Sequence, residues 1–281
     1  MNCRYGEERT AAISSEVSLG GPATVNIRLY LMLFGFLSRL GGYVMLTMRD
    51  HGVEDYAELR DMDATDVGEL AEDDRACLDE VGQYLAAADA WQRFGIWLLH
   101  KHFEPGPGEV FVERTIREPR GTETTPVRRS AFPEQGLNST AIRFDKSVGP
   151  GVGVIGMEFA EPADFDGVSP LSDDDEAVLA GIAQRLQAHG KIERFGVRLI
   201  RNTLGLSELE MLSETFDSAQ RTLYCTITEH GAMPTHTTIE TNWRWRVVQG
   251  ETAPIVMVEC TAGCTPVGEG HDLAHTHTAK D

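Results

Sequence analysis

Two groups of residues in this 281-residue chain have the side-chain chemistry and spacing to hold a metal ion. The first is His100-Lys101-His102. On an extended strand, residues two apart face the same side, so both imidazoles could meet one ion. Glu109 and Glu113 follow closely and are the carboxylates expected to join them. Strand register decides which one does, because a slip of one residue turns a carboxylate to the other face. The plainer reading is a pair of exposed or hydrogen-bonded strand histidines.

The second group is near the end of the chain, in ECTAGCTPVGEGHDLAHTHTAKD. Cys260 and Cys264 form Cys-x3-Cys, and after six intervening residues His271 and His275 form His-x3-His, with His277 beyond. Thiolate and imidazole ligands on a short, glycine-containing segment suit tetrahedral zinc. The interval is shorter than the roughly 12 residues of a classical finger, so this is a different arrangement. A polar, His-rich terminus with no metal is the alternative.

The histidine pair, with Gly95 before it and Glu109 after it, resembles the first metal-binding motif of the cupins, in which an H-x-H pair and a glutamate hold a metal inside a β-barrel. The resemblance covers Gly95 to Glu109 alone. It implies a metal-dependent enzyme using His100 and His102. The chain departs from the motif in the longer interval of six residues between His102 and Glu109 and in having no evident second-motif histidine. A long helix ahead of the strands also differs from the usual cupin order.

The stretch around the histidines has an echo. RFGIWLLHKHFEPGPGEVFVE, Arg93 to Glu113, shares its skeleton with RFGVRLIRNTLGLSELEMLSE, Arg194 to Glu214, 101 positions later. Arg93, Phe94, Gly95, Leu98, Glu109 and Glu113 match Arg194, Phe195, Gly196, Leu199, Glu210 and Glu214. His100 and His102 are replaced by Arg201 and Thr203. The same offset aligns the region from about Asp63 to Glu158 with Asp164 to Glu259, without a gap. It predicts an α+β fold: two tandem copies of a helix-plus-antiparallel-sheet unit, related by a pseudo-twofold axis. The predicted organisation is an N-terminal extension over 1–60, repeats over 61–160 and 161–261, and a Cys/His tail over 262–281. Arg93 and Arg194 occur in both stretches and are read as structural, each pairing with a carboxylate to hold a hairpin to a helix end.

Local signals place the elements. Leu78, Val81, Leu85 and Ala88 fall on one helical face, with Asp73 and Asp74 at its positive end. A second helix starts at Ser172, with Asp175 three positions on as in a capping box, carries Leu179, Ile182 and Leu186, and stops at Gly190. GIWLLHKHF and EVFVERTI, separated by a Pro-Gly-Pro-Gly turn, are predicted to form a hairpin. TAIRFDKSVGPGVGVIGMEF and TNWRWRVVQGETAPIVMVEC are predicted as later hairpins.

Composition narrows the function. A formal charge of −19 disfavours nucleic-acid backbone and anionic membrane as partners, since both repel a polyanion. The apolar run over 25–48 is broken by Arg28, Arg39 and Gly41-Gly42, so a membrane role is not expected; a core or partner-facing helix, or an extension ahead of a true start at Met45 or Met48, is. Five cysteines in so long a chain do not form a disulfide framework, which points to a reducing cytoplasm. No G-x-S-x-G elbow or phosphate-loop lysine is present. These readings converge on a metal-binding protein, with zinc or another divalent transition metal and an unassigned reaction. The alternatives are a cupin-like enzyme and a non-enzymatic module binding a small molecule or a protein in a cleft between the repeats.

Overall fold

The computed structural model describes residues 46–61, 70–145, 152–165, 167–207, 209–229, 238–248, 251–261, 264–266 and 271–273. In chain order these form β1 (Thr47–Asp50), α1 (Val53–Ala57), β2 (Arg60–Asp61), α2 (Glu72–Ala87), β3 (Phe94–Leu98), β4 (His100–Lys101), β5 (Glu109–Arg117) and β6 (Arg120–Arg128). Then come β7 (Asn138–Phe144), β8 (Gly153–Ala160), α3 (Glu176–Ala188), β9 (Phe195–Leu199), β10 (Glu210–Asp217), β11 (Thr222–Glu229), β12 (Thr238–Val248) and β13 (Glu251–Thr261). Two short strands, β14 (Cys264–Pro266) and β15 (His271–Leu273), pair with each other.

The strands run in the order β8-β5-β6-β11-β10-β13-β12-β3-β9-β7, and β7 pairs back onto β8 to close a ten-stranded barrel. The sheet is mixed: β5 runs parallel to β8 and β10 parallel to β13, while the other barrel neighbours are antiparallel. β1 lies parallel alongside the first half of β8. This overturns the expected α+β fold of two tandem helix-plus-sheet copies. The strands of the two halves do not make separate sheets, because β6 pairs with β11 and β3 with both β9 and β12. The physical reason is edge satisfaction. A small sheet from either half would leave open edges, and closing all ten strands into one barrel removes them.

The predicted hairpin across Pro105 to Gly108 is corrected for the same reason: β5 pairs with β6 and β8, not with β3. The later hairpins do form, as β7–β8 and β12–β13. The run over 25–48 lies outside the described residues apart from its last three. Among the described residues no helix is long and apolar enough to cross a membrane.

Alternation along the strands sorts the two faces of the barrel. On β3, Phe94, Ile96 and Leu98 join a core with Cys77, Leu78, Val81 and Leu85 of α2 and Leu179, Ile182 and Leu186 of α3. Phe195, Val197 and Leu199 of β9 belong to the same core. The helix pair therefore covers the outer face of β3 and β9. The opposite face carries Trp97, Phe111, Phe216 and Leu223, which pack with Tyr56 and Phe103.

Arg93 and Arg194 fix the entry of β3 and β9. The Asp74 carboxylate accepts from the Ala71 N–H at the start of α2, and Asp175 accepts from the Ser172 N–H ahead of α3. Arg93 then bridges to Asp175, with both contacts at 2.7 Å, and Arg194 donates to Asp74 at 3.0 Å. Each arginine thus ties its strand to the start of the helix from the other half, through an aspartate and not through Glu109 or Glu113. Gly95 lets β12 approach closely, since a Cβ there would sit 2.6 Å from the Trp243 carbonyl oxygen.

Gly82 supplies a test of the helix packing. A methyl group at this position of α2 would enter the indole ring of Trp245. Alanine in a helix interior ordinarily stabilises by about 1 kcal/mol over glycine. Gly82→Ala is nonetheless expected to destabilise by about 1–3 kcal/mol through overpacking, read by equilibrium denaturation; a stabilised variant would contradict the packing of α2 on β12.

Candidate metal centre

The chain leaves the barrel sheet after Leu98 and makes the short strand β4, which pairs parallel with β2, Arg60 opposite His100. This detour turns His100 and His102 to the same side. Both are buried, at 4 % and 6 % exposure. They meet a carboxylate that the sequence did not assign to them, that of Glu214 on β10, itself 5 % exposed. The two Nε2 atoms are 3.2 Å apart, and Glu214 Oε2 is 3.6 Å from that of His100 and 3.8 Å from that of His102. His100, His102 and Glu214 thus form a buried group that could hold a metal ion.

The tautomer of His100 suits that role. Its Nδ1 lies 2.7 Å from the Leu98 carbonyl oxygen. A carbonyl only accepts, so Nδ1 carries the proton and the Nε2 lone pair of the neutral ring faces His102 and Glu214. Trp97 stands edge-on to His100, with ring centroids 6.2 Å apart, and Phe216 lies 5.1 Å from His102. A cavity of about 30 Å³ adjoins the group, lined by Tyr56, Phe103, Phe111, Thr124 and Glu158 together with the three ligand candidates.

The other carboxylates expected to join the histidines lie elsewhere. Glu109 accepts from the Gly106 N–H and pairs with Arg221 at 2.9 Å. Glu113 is buried and is held by Arg198 and Arg201, one on each oxygen. Arg198 also reaches Glu158 at 2.8 Å. In the alignment of the two sequence stretches, Arg201 stands opposite His100 and Glu113 opposite Glu214. The interior thus carries one glutamate between two arginines and another between two histidines. That alignment already paired the two glutamates; what it lacked was the barrel closure that crosses them.

The electrostatics follow from burial. Burial alone would raise the Glu214 carboxyl; with no metal bound, hydrogen bonds from His100 and His102 and the positive charge they carry when protonated hold it well below the usual carboxylate range. Burial likewise opposes ionisation of Glu113, and the charges of Arg201 and Arg198 outweigh it, so its carboxyl is lowered. Glu158 is raised: burial dominates, Arg198 offsets it only in part, and Glu113 and Glu214 add repulsion. Burial pushes the Cys225 thiol, directly opposite Glu214 in the strand register, well above its ordinary value. It is therefore a neutral thiol and a poor metal ligand.

In the tail, Cys260 lies on β13, Cys264 on β14 and His271 on β15, with the backbone of Pro266 opposite His271. The side chains of these three, and all of His275 and His277, lie outside the described residues. The chain matches no protein-family model, no curated protein and no solved structure.

Glu113 provides a pH-dependent check on the interior. Its folded-state carboxyl titrates below the ordinary 4.5, so its contribution to stability is complete above that value and is lost as pH falls through the folded-state value. Glu113→Gln should destabilise by about 3–5 kcal/mol at neutral pH by leaving buried arginine charge uncompensated. The gap from wild type, followed by denaturation at a series of pH values, should narrow in acid; a constant gap would contradict the ion pair.

Proposed function

We propose that this protein is a mononuclear metalloprotein that binds one zinc ion through His100 Nε2, His102 Nε2 and the Glu214 carboxylate. The observation that carries this reading is the triangle of donor atoms. Separations of 3.2, 3.6 and 3.8 Å are satisfied by a point about 2.1 Å from all three atoms, the length of zinc–imidazole and zinc–carboxylate bonds. Two neutral imidazoles and one carboxylate leave the ion a net positive charge.

Charge balance supports the same reading. Glu113, Glu158 and Glu214 are buried, and among the described residues Arg198 and Arg201 are the permanent cations paired with the first two. A divalent ion would supply beside Glu214 the positive charge that neither arginine brings to that carboxylate.

Three protein ligands are the number found in catalytic zinc sites, whereas structural sites use four. The fourth position would face the cavity of about 30 Å³, which has room for a water. A water bound there would be acidified toward neutral pH, so hydrolytic or hydration chemistry on a small substrate is the activity we infer. The notion of a metal-dependent enzyme using His100 and His102 is retained in this form, with Glu214 in place of Glu109.

Untagged protein purified without chelator and reconstituted with zinc should contain one zinc per chain by elemental mass spectrometry. His100→Ala and Glu214→Gln should each lose it, and Cys264→Ala should keep it. Zinc retained in His100→Ala, or lost in Cys264→Ala alone, would move the metal to the tail and overturn the proposal.

A further inference from the structure

The cavity of about 30 Å³ beside the three ligand candidates takes most of its wall from barrel strands, among them Phe111 of β5, Thr124 of β6 and Leu223 of β11. Tyr56 closes it from outside the barrel, on α1, and is 5 % exposed. Its chain neighbours Ala57 and Glu58 are exposed. At Tyr56, therefore, a single layer of chain stands between the cavity and the surface.

That layer is held more lightly than the strands beneath it. Each barrel strand has a hydrogen-bonded neighbour on both sides, whereas β2 pairs with β4 alone, over two residues. Tyr56 adds one hydrogen bond, its hydroxyl donating to the Met157 carbonyl at 3.2 Å, and its ring packs 4.7 Å from that of Phe111. Lys101 donates to the Ala57 carbonyl at 3.4 Å, and the Arg143–Glu58 pair is too exposed on its carboxylate side to add much. Asp55 is gripped by both Arg49 and Arg143, which keeps the start of α1 in place as a pivot. Segments with short pairing and an exposed outer face open locally at much lower cost than the whole fold.

The metal centre needs such an opening. The cavity has room for a metal-bound water, but not for that water and a substrate together. In the β2–β4 pairing Arg60 lies opposite His100, so releasing it uncovers the segment that carries the histidines. We propose that residues 56–61 form a strap over the metal centre, latched by Tyr56 and opening at the β2–β4 pairing to admit a substrate. That a substrate uses the opening rests on the zinc reading; the opening itself does not.

The test is carbethoxylation of the full, zinc-free chain by diethyl pyrocarbonate, a reagent far larger than the cavity, with each histidine followed by peptide mass spectrometry. His100 and His102 are expected to react slowly in the unaltered protein and about fivefold faster in Tyr56→Phe, which removes the latching hydrogen bond and keeps the ring. Half-buried His189, at the end of α3, should react equally in both. Alkylation of Cys77, fully buried on α2, reports unfolding of the whole chain and should also stay the same. No acceleration at His100 and His102, or an acceleration matched at Cys77, would overturn the strap. Zinc content is measured on reconstituted samples of both proteins, and bound zinc should suppress the reaction at both histidines. Acceleration in Tyr56→Phe of a chain that takes up no zinc would uphold the strap and remove the zinc reading; zinc uptake without acceleration would do the reverse.

Discussion

The constraint on which this barrel depends is the neutralisation of three glutamates buried in its interior. Glu113, Glu158 and Glu214 come from three different strands and none is more than 7 % exposed. A carboxylate taken out of water is strongly destabilising unless it is paired and hydrogen-bonded. The chain meets this demand in two ways. Arg198 and Arg201 embrace Glu113, with Arg198 reaching on to Glu158, whereas Glu214 faces two imidazoles. Guanidinium groups are always charged, so the first arrangement is complete in itself. Neutral imidazoles offer lone pairs and no charge, so a bound cation would complete the second.

The fold makes this interior available by dividing labour between strand faces. β3 and β9 give alternate residues to the helix-covered outer core and to the inside. Phe94, Ile96 and Leu98 anchor one side, so that Trp97 and the residues after Leu98 are held on the other. The bridges Arg93–Asp175 and Arg194–Asp74 lock those strands to the helix starts. The histidine geometry is therefore set by rigid elements: β3 fixes where the chain departs, β2 fixes where β4 runs, and the Leu98 carbonyl fixes the ring of His100. A site preorganised in this way would lose little ordering entropy on taking up an ion.

Much of this was legible in residue patterns. The i, i+2 spacing of His100 and His102 placed both imidazoles on one side, and the helix faces over Leu78–Leu85 and Leu179–Leu186 were read from their period. The hairpins β7–β8 and β12–β13 followed from turn residues between alternating runs. The third ligand candidate was not legible. Choosing Glu109 or Glu113 assumed that β3 and β5 pair across the Pro-Gly turn, but strand neighbours in a closed barrel are set by edge satisfaction across the whole chain, which local turn chemistry does not encode. The same non-local closure turned two expected α+β units into one barrel.

The most direct test of the central claim is zinc K-edge X-ray absorption on the zinc-reconstituted chain. A first shell of nitrogen and oxygen donors at about 2.0–2.1 Å is expected, with the outer-shell scattering of two imidazole rings and no sulfur. A sulfur shell at about 2.3 Å would place the ion on cysteine and contradict an interior histidine–glutamate centre.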